Sequence, residues 1–226
     1  MTRRWLERLA SPVWWPIPRK RLKFVSVPRG PHKIKSSLPL AVIVRDVLKL
    51  AEGAVEARHI IKAGKVLVDC RKIRDPRFSV GPMDIIEVQD VGSWRAVPGR
   101  RLHFVATTGR DARLKLCKII GKTVVKGGKC QINMHDGRSI LTEEKYATGD
   151  SLLLELPGQR VISRIALEPG ALVLVVAGKL VGKLGRLRSI ERVPPRVWLE
   201  IERKVIEVPL KAAFVVGVEK PAVRLD

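Results

Sequence analysis

Hydrophobic positions recur along this chain with two different periods, and the helical one is sustained within residues 37–91. There Leu40, Ile43, Val44, Val47, Leu48 and Ala51 return at three- and four-residue steps, which predicts a helix with one broad apolar face. Arg45 and Lys49, four residues apart, share its wet side. After Gly53, the run from Val55 to Ala63 predicts a second helix, with Val55, Ile60 and Ile61 inward and Arg58, His59 and Lys62 at the surface. Gly64 stops it, because glycine accepts the left-handed backbone that follows a last turn. Val66-Leu67-Val68 then reads as a short strand and Asp69-Cys70-Arg71-Lys72 as the bend after it. Phe78 and Val80 lead into the Gly81-Pro82 punctuation, and Asp84 to Val88 resumes as strand.

From residue 92 the period shortens. Leu102–Ala106, Leu114–Ile120, Thr123–Val125, Cys130–Met134, Ser139–Leu141, Ser151–Leu156 and Val161-Ile162 are strand candidates, separated by glycine-bearing turns. Short strands at near-regular spacing predict a small antiparallel barrel or sandwich over 92–167. A last module, 168–226, opens at Glu168-Pro169-Gly170 and runs through the apolar, β-branched stretch Ala171–Val176. Gly178, Gly182 and Gly185 follow, interleaved with Lys179, Lys183, Arg186 and Arg188, which predicts a tight hairpin with a basic rim. Ile190–Val193 is expected to pair back as the next strand, with Trp198–Ile201 and Lys211–Val216 beyond it.

Residues 1–36 form an arm instead of a core. Trp5, Leu6 and Leu9 suit one face of a short helix begun after Arg3-Arg4 and ended by Ser11-Pro12. Pro16 and Pro18 forbid its continuation past Trp14-Trp15. Arg19-Lys20-Arg21, Lys23, Arg29, His32, Lys33 and Lys35 then crowd cations into an extended segment. Aromatics among clustered cations suit RNA, where rings stack on bases and cations meet phosphates. Trp14 and Trp15 are equally expected to pack against the adjacent domain, and the two roles are compatible. Prolines and cations build no core, so the arm is expected to order only on RNA.

Charge sharpens this picture. The 226 residues hold 44 Lys+Arg against 22 Asp+Glu, a net +22, and such a chain seeks a polyanion. Hydrophobic residues make up 46%, so folded modules with basic surfaces are expected, not a basic tail. Arg45, Lys49, Arg58, Lys62, Lys65, Arg71, Lys72 and Arg74 sit on the short elements of 37–91, as phosphate-backbone binding requires. Cys70, Cys117 and Cys130 are odd in number and irregular in spacing, which argues for a reducing compartment and buried or idle thiols. The sequence has no apolar run long enough to span a membrane and no secretory core after Arg3-Arg4.

Three chemical motifs fail on inspection. Gly121-Lys122-Thr123 ends like a phosphate-binding loop but lacks the earlier glycine and sits among strands. Cys117, Cys130, His135 and His103 lack the paired short spacings of a metal knuckle, so no metal or other cofactor is expected. Glu143-Glu144 reads as a solvated turn, and His32 has no nucleophile or carboxylate near it in sequence. Nothing here marks an enzyme.

The order Ala57-Arg58-His59-Ile60-Ile61-Lys62-Ala63-Gly64-Lys65-Val66-Leu67-Val68 resembles the S4-type RNA-binding domain. Asp69-Cys70-Arg71 stands where that domain usually has an Asn-Gly turn, and Met83-Asp84 where it has Gly-Asp. Gly30-Pro31-His32-Lys33 followed by Leu38-Pro39-Leu40, and His135-Asp136-Gly137-Arg138 followed by Gly149-Asp150, resemble the archaeal and eukaryotic small-subunit ribosomal protein family S4e. Gly182 and Gly185 resemble the KOW motif of SH3-like barrels. The resemblance is co-linear over nearly the whole chain. It implies a multidomain α+β and all-β protein. Its parts would be a basic RNA-binding arm (1–36), an S4-like helical/β domain (37–91), a central antiparallel β domain (92–167) and a KOW-containing SH3-like β-barrel (168–226).

The function so implied is that of a structural constituent of the small ribosomal subunit, cytoplasmic and archaeal. It would bind and stabilise ribosomal RNA beside neighbouring ribosomal proteins, without homo-oligomerising. Two alternatives are a transient KOW-containing translation or transcription factor and an RNA-modification accessory protein.

Overall fold

The computed structural model describes residues 5–20, 22–125 and 128–225, and they divide into two compact units. Arg3, Arg4 and Arg21 lie outside the described residues.

The first unit spans residues 1–96 and 101–108. Its arm opens with β1 (Trp5–Glu7) paired antiparallel to β2 (Phe24–Ser26). The helix expected at 5–9 is therefore a strand followed by a single 3₁₀ turn, Arg8–Ala10. The Arg8 guanidinium accounts for the change: it is buried and donates to the carbonyls of Phe24 and Pro18, tying the turn to the returning chain. Nor is the arm outside the core. Trp15, Ile17 and Val25 are buried in one cluster with Leu38, Leu40, Ile43, Val44, Ala57, Ile61 and Val66.

After β3 (Leu38–Pro39), the first predicted helix is shorter and wider than its apolar spacing suggests. It is one α-turn, α1 (Leu40–Val42), continuing as a π-turn over Ile43–Val47. Leu48 donates to the carbonyl of Ile43, five residues back, and Lys49 takes φ +54 outside the helix. Lys49 thus leaves the face it was expected to share with Arg45. The second helix, α2 (Ala54–Lys62), forms as predicted, and Gly64 follows it at φ +76. Its inward residues are Ala57 and Ile61, whereas Val55, expected inside, is exposed.

A five-stranded antiparallel sheet backs these helices. It comprises β4 (Val66–Val68), β5 (Arg71–Lys72), β7 (Ile85–Val88), β8 (Gly92–Val97) and β9 (His103–Thr107), in the order β5-β4-β7-β8-β9. A short β6 (Ser79–Val80) pairs with β3. The boundary expected at 91/92 therefore falls inside the β7–β8 hairpin, where Val88 faces Gly92 and Ile85 faces Arg95. A hairpin's ladder ties its strands to one sheet, and the change of unit comes after them.

The second unit, residues 97–100 and 109–226, holds two more five-stranded antiparallel sheets. In the first, β10 (Leu114–Val124), β11 (Cys130–Met134), β12 (Ser139–Thr142), β13 (Ser151–Glu155) and β14 (Arg160–Ile165) run in the order β12-β11-β10-β13-β14. β10 passes through both strands expected at 114–120 and 123–125, shifting register between Ile119 and Gly121. Cys117, Ile119, Ile132, Met134, Leu152 and Leu154 fill its core.

The second sheet comprises β15 (Leu172–Val175), β16 (Leu184–Glu191), β17 (Arg196–Ile201), β18 (Lys204–Pro209) and β19 (Ala213–Gly217), in the order β18-β17-β16-β15-β19. Ile190 and Glu191 end the long β16 and do not form a separate returning strand; β17 takes that place. Gly185 is buried under β17, where a Cβ would meet Ile201 Cγ1 at 2.6 Å. Gly178 and Gly182 take φ +91 and +88 in the turn between β15 and β16. These close approaches and left-handed turns explain why glycines punctuate this basic segment. Among the described residues no helix is long and apolar enough to cross a membrane.

Candidate nucleic-acid interface

Helix α2 is the simplest part of the interface to build from sequence. With Ala57 and Ile61 turned to the core, the 3.6-residue period leaves Arg58, His59 and Lys62 outside, and all three are exposed. Lys65 is exposed just past the Gly64 stop. The next cations come from the β4–β5 turn. Asp69 and Cys70 take φ +50 and +62, the two left-handed positions of a tight hairpin, so this turn is made without the expected glycine. Asp69 is buried; its Oδ1 accepts from the Ile85 N–H at 3.0 Å and its own N–H donates to the Ile85 carbonyl. That pair anchors the turn on β7 and leaves Arg71, Lys72 and Arg74 exposed beyond it.

Within the same unit the arm adds exposed Lys20, Lys23, Arg29, Lys33 and Lys35, with Arg19 half-buried and donating to the carbonyls of Leu9 and Ser11. Lys49 is exposed as well. Arg45 is half-buried and spends its charge on Asp46, with two contacts of 2.9 and 2.6 Å. The side-chain hydrogen bond to Asp46 raises the Arg45 pKa above its usual value. In the second unit Lys179 and Arg186 are exposed, while Lys183 lies 2.7 Å from Glu202 in an exposed pair.

Three residues expected to meet RNA, Trp14, Trp15 and His32, have partners within the unit. Trp15 is only 3% exposed and packs edge-to-face on Trp14, ring centroids 6.4 Å apart. Trp14 is half-buried and donates its Nε1–H to the Lys35 carbonyl. Both rings pack on the core of the unit, as one of the two readings of this pair has it. His32 is buried beneath Gly81, where a Cβ would meet its Nδ1 at 2.3 Å. A carboxylate does reach it: Asp84, 52 positions later in the sequence, lies at 2.9 Å.

Sequence reasoning missed three contributors. Arg29, Arg45 and Arg58 meet Trp5, Phe24 and Arg77 around one open basin of about 510 Å³. Trp5 and Phe24 had no visible reason to be neighbours, because the pairing of β1 with β2 joins segments that no local pattern connects. Sequence reasoning also missed Asp136. Its carboxylate sits among Lys115 Nζ at 3.0 Å, Arg138 Nε at 3.2 Å and Cys117 Sγ at 3.5 Å. Burial would raise the Asp136 pKa, but the Lys115 ammonium, His135 and Arg138 outweigh it and hold it at about 2. Cys117, His135 and Asp136 converge within 4.8 Å, the spacing of a metal site. An ammonium and a guanidinium on the same carboxylate already neutralise it, so the residues present do not suit a cation.

The fold and this surface define a class: an S4-domain protein carrying further β modules. The S4 domain matches residues 38–86, and the ribosomal family S4e matches 96–161. Small ribosomal subunit protein eS4 of Methanocaldococcus jannaschii is 40% identical over 238 aligned positions, covering 99% of this chain and 98% of that one. Its counterpart in Methanothermobacter thermautotrophicus is 42% identical over 193, covering 84% and 80%. The crystal structure of the 30S ribosomal protein S4e from Thermoplasma acidophilum superposes with a TM-score of 0.72 at 30% identity, covering 81% of this chain and 96% of that chain. The chain belongs to the S4e family of small ribosomal subunit proteins, and it is a non-enzymatic structural protein.

Proposed function

We propose that this chain binds and stabilises folded small-subunit ribosomal RNA through phosphate contacts, with α2 and the β4–β5 turn as its principal face and the arm beside them. The observation that carries this reading is the row Arg58, His59, Lys62, Lys65, Arg71, Lys72 and Arg74, every member exposed and borne on α2, the β4–β5 hairpin or the residues beside them in one unit. Cations placed on one face fix register on a phosphate backbone. The basic hairpin of the last sheet, read as a KOW-type half of an SH3-like barrel, adds Lys179, Lys183 and Arg186 as a second contact. Neighbouring ribosomal proteins cover part of the remainder, and one copy serves each subunit without self-association. Its place is the cytoplasmic small subunit.

Binding of the full chain to small-subunit ribosomal RNA over a salt series tests this. Replacing Arg58, Lys62 and Lys65 together with glutamine is expected to lower the slope of log affinity against log salt by about two to three. An unchanged slope would refute the assignment of the face.

A further inference from the structure

We propose that the basin of the first unit takes a single unstacked nucleotide of RNA, its base against Trp5 and Phe24 and its phosphate among Arg29, Arg58 and Arg77. This rests on RNA being the partner and names a local recognition mode within that reading.

Trp5 faces Ser26 and Glu7 faces Phe24 across the β1–β2 ladder, which makes Trp5 and Phe24 diagonal neighbours on one face. They are 58% and 46% exposed, unusual for large aromatics that could have joined the adjacent core. Both line the basin of about 510 Å³ together with Arg29, Arg58 and Arg77. Arg45 lines it too, but its charge is taken by Asp46. The Arg58 Nε–H donates to the Ala54 carbonyl, which steadies the guanidinium at the rim, and Arg77 is only loosely paired, 3.8 Å from Asp75. Lys23 Nζ stands 5.3 Å from the Phe24 ring centroid, adding a further charge beside the aromatic pair.

The chemistry selects one ligand class. A free inorganic anion would use the arginines and leave both rings idle. An RNA duplex offers phosphates but keeps its base faces stacked away from Trp5 and Phe24. A splayed nucleotide offers a π-face and a phosphate at once, and base–aromatic stacking tolerates any base.

The test uses the full chain and compares a labelled single-stranded oligouridylate, a blunt RNA duplex and inorganic tripolyphosphate as probes. Trp5→Ala with Phe24→Ala is expected to weaken the single strand by about 10-fold while leaving the duplex within about 2-fold. Arg29→Gln with Arg77→Gln should weaken both. Because the two aromatic substitutions fall on exposed side chains, circular dichroism should report an unchanged fold. On the unmodified chain, a 4-thiouridine oligomer is expected to crosslink within residues 5–29. Equal losses on strand and duplex, unchanged strand binding, or crosslinks that map only elsewhere would overturn the proposal. If the chain still binds small-subunit ribosomal RNA in those cases, the basin assignment alone falls. If it binds no RNA, the broader reading falls with it.

Discussion

The imidazole Nε2 of His32 lies 2.9 Å from Oδ2 of Asp84, and both side chains are only 3% exposed. This contact joins the arm to the turn that precedes β7, beneath a glycine that leaves room for the ring. Asp84 also accepts from the Gly81 N–H at 2.8 Å, and the His32 N–H donates to Ser79 Oγ at 3.3 Å. Together with Trp15, Ile17 and Val25 in the shared core, the latch ties the arm to the first unit.

His32→Ala is therefore expected to destabilise the first unit by about 3 kcal/mol, since it leaves a buried carboxylate with one fewer partner. The measurement is chemical denaturation followed by limited proteolysis. Cleavage should move into residues 11–36 of the variant and spare the unmodified chain without RNA. Equal, rapid cleavage of both would restore the arm as a segment that orders only on RNA.

A second relationship ties together the two sheets of the second unit. Lys118 of β10 donates its ammonium to the carbonyls of Ala213, Leu210 and Lys211 at 2.5, 2.9 and 3.3 Å. Burial lowers its pKa from 10.5 to about 8. Below pH 8 both folded and unfolded chains hold the proton, and the folded state bears the full cost of the buried charge. Between about pH 8 and 10.5 the unfolded state binds more protons, so stability rises with pH, by ~3 kcal/mol in all. Urea denaturation at pH 7.5 and at pH 10 should show this rise relative to Lys118→Met; parallel curves for the two proteins would dismiss it.

Asp136 predicts the opposite edge of the pH range. Its pKa is depressed from 3.8 to about 2, so the stability it contributes is present above pH 4 and is lost as pH falls through 2, ~2 kcal/mol in all. Asp136→Asn should cost stability at pH 6 and converge with the unmodified chain near pH 2. A constant difference across that range would mean that charge is not what the carboxylate contributes.

Cys70 holds φ +62 in a turn where glycine would be unstrained. Cys70→Gly is expected to raise stability by about 0.5–1 kcal/mol while leaving RNA affinity unchanged, as thermal melting and a binding titration would report. A lower melting temperature would show that the thiol's packing outweighs the strain.

How much of this was written locally in the sequence varies with the element. Helix α2, its stop at Gly64 and its outward cations follow from period and glycine chemistry, and they formed where expected. The glycines of the basic hairpin were legible as turn residues, which Gly178 and Gly182 are; the close approach of Gly185 to β17 was not, because it depends on a strand brought in later. What failed was set by distant partners. Residues 5–9 carry helical spacing, but β2 recruits them as a strand, and α1 widens into a π-turn against a core that its own spacing could not describe. His32 looked solitary because Asp84 is remote in sequence, and Asp136 looked like a turn residue because Lys115 comes to it from another strand. The 91/92 boundary rested on a change of period, which marks the end of helices, whereas the β7–β8 ladder carries one sheet past that point.

A permanent berth on small-subunit RNA has a signature that a transient contact lacks, which is retention through high salt. The most direct measurement is sedimentation of a tagged full chain through a gradient of extract from its source cells, followed by high-salt washing of the small-subunit peak. Retention at one copy per small subunit is expected after the wash. Migration away from the small subunit, or loss at modest salt, would contradict it and favour a transient KOW-containing factor.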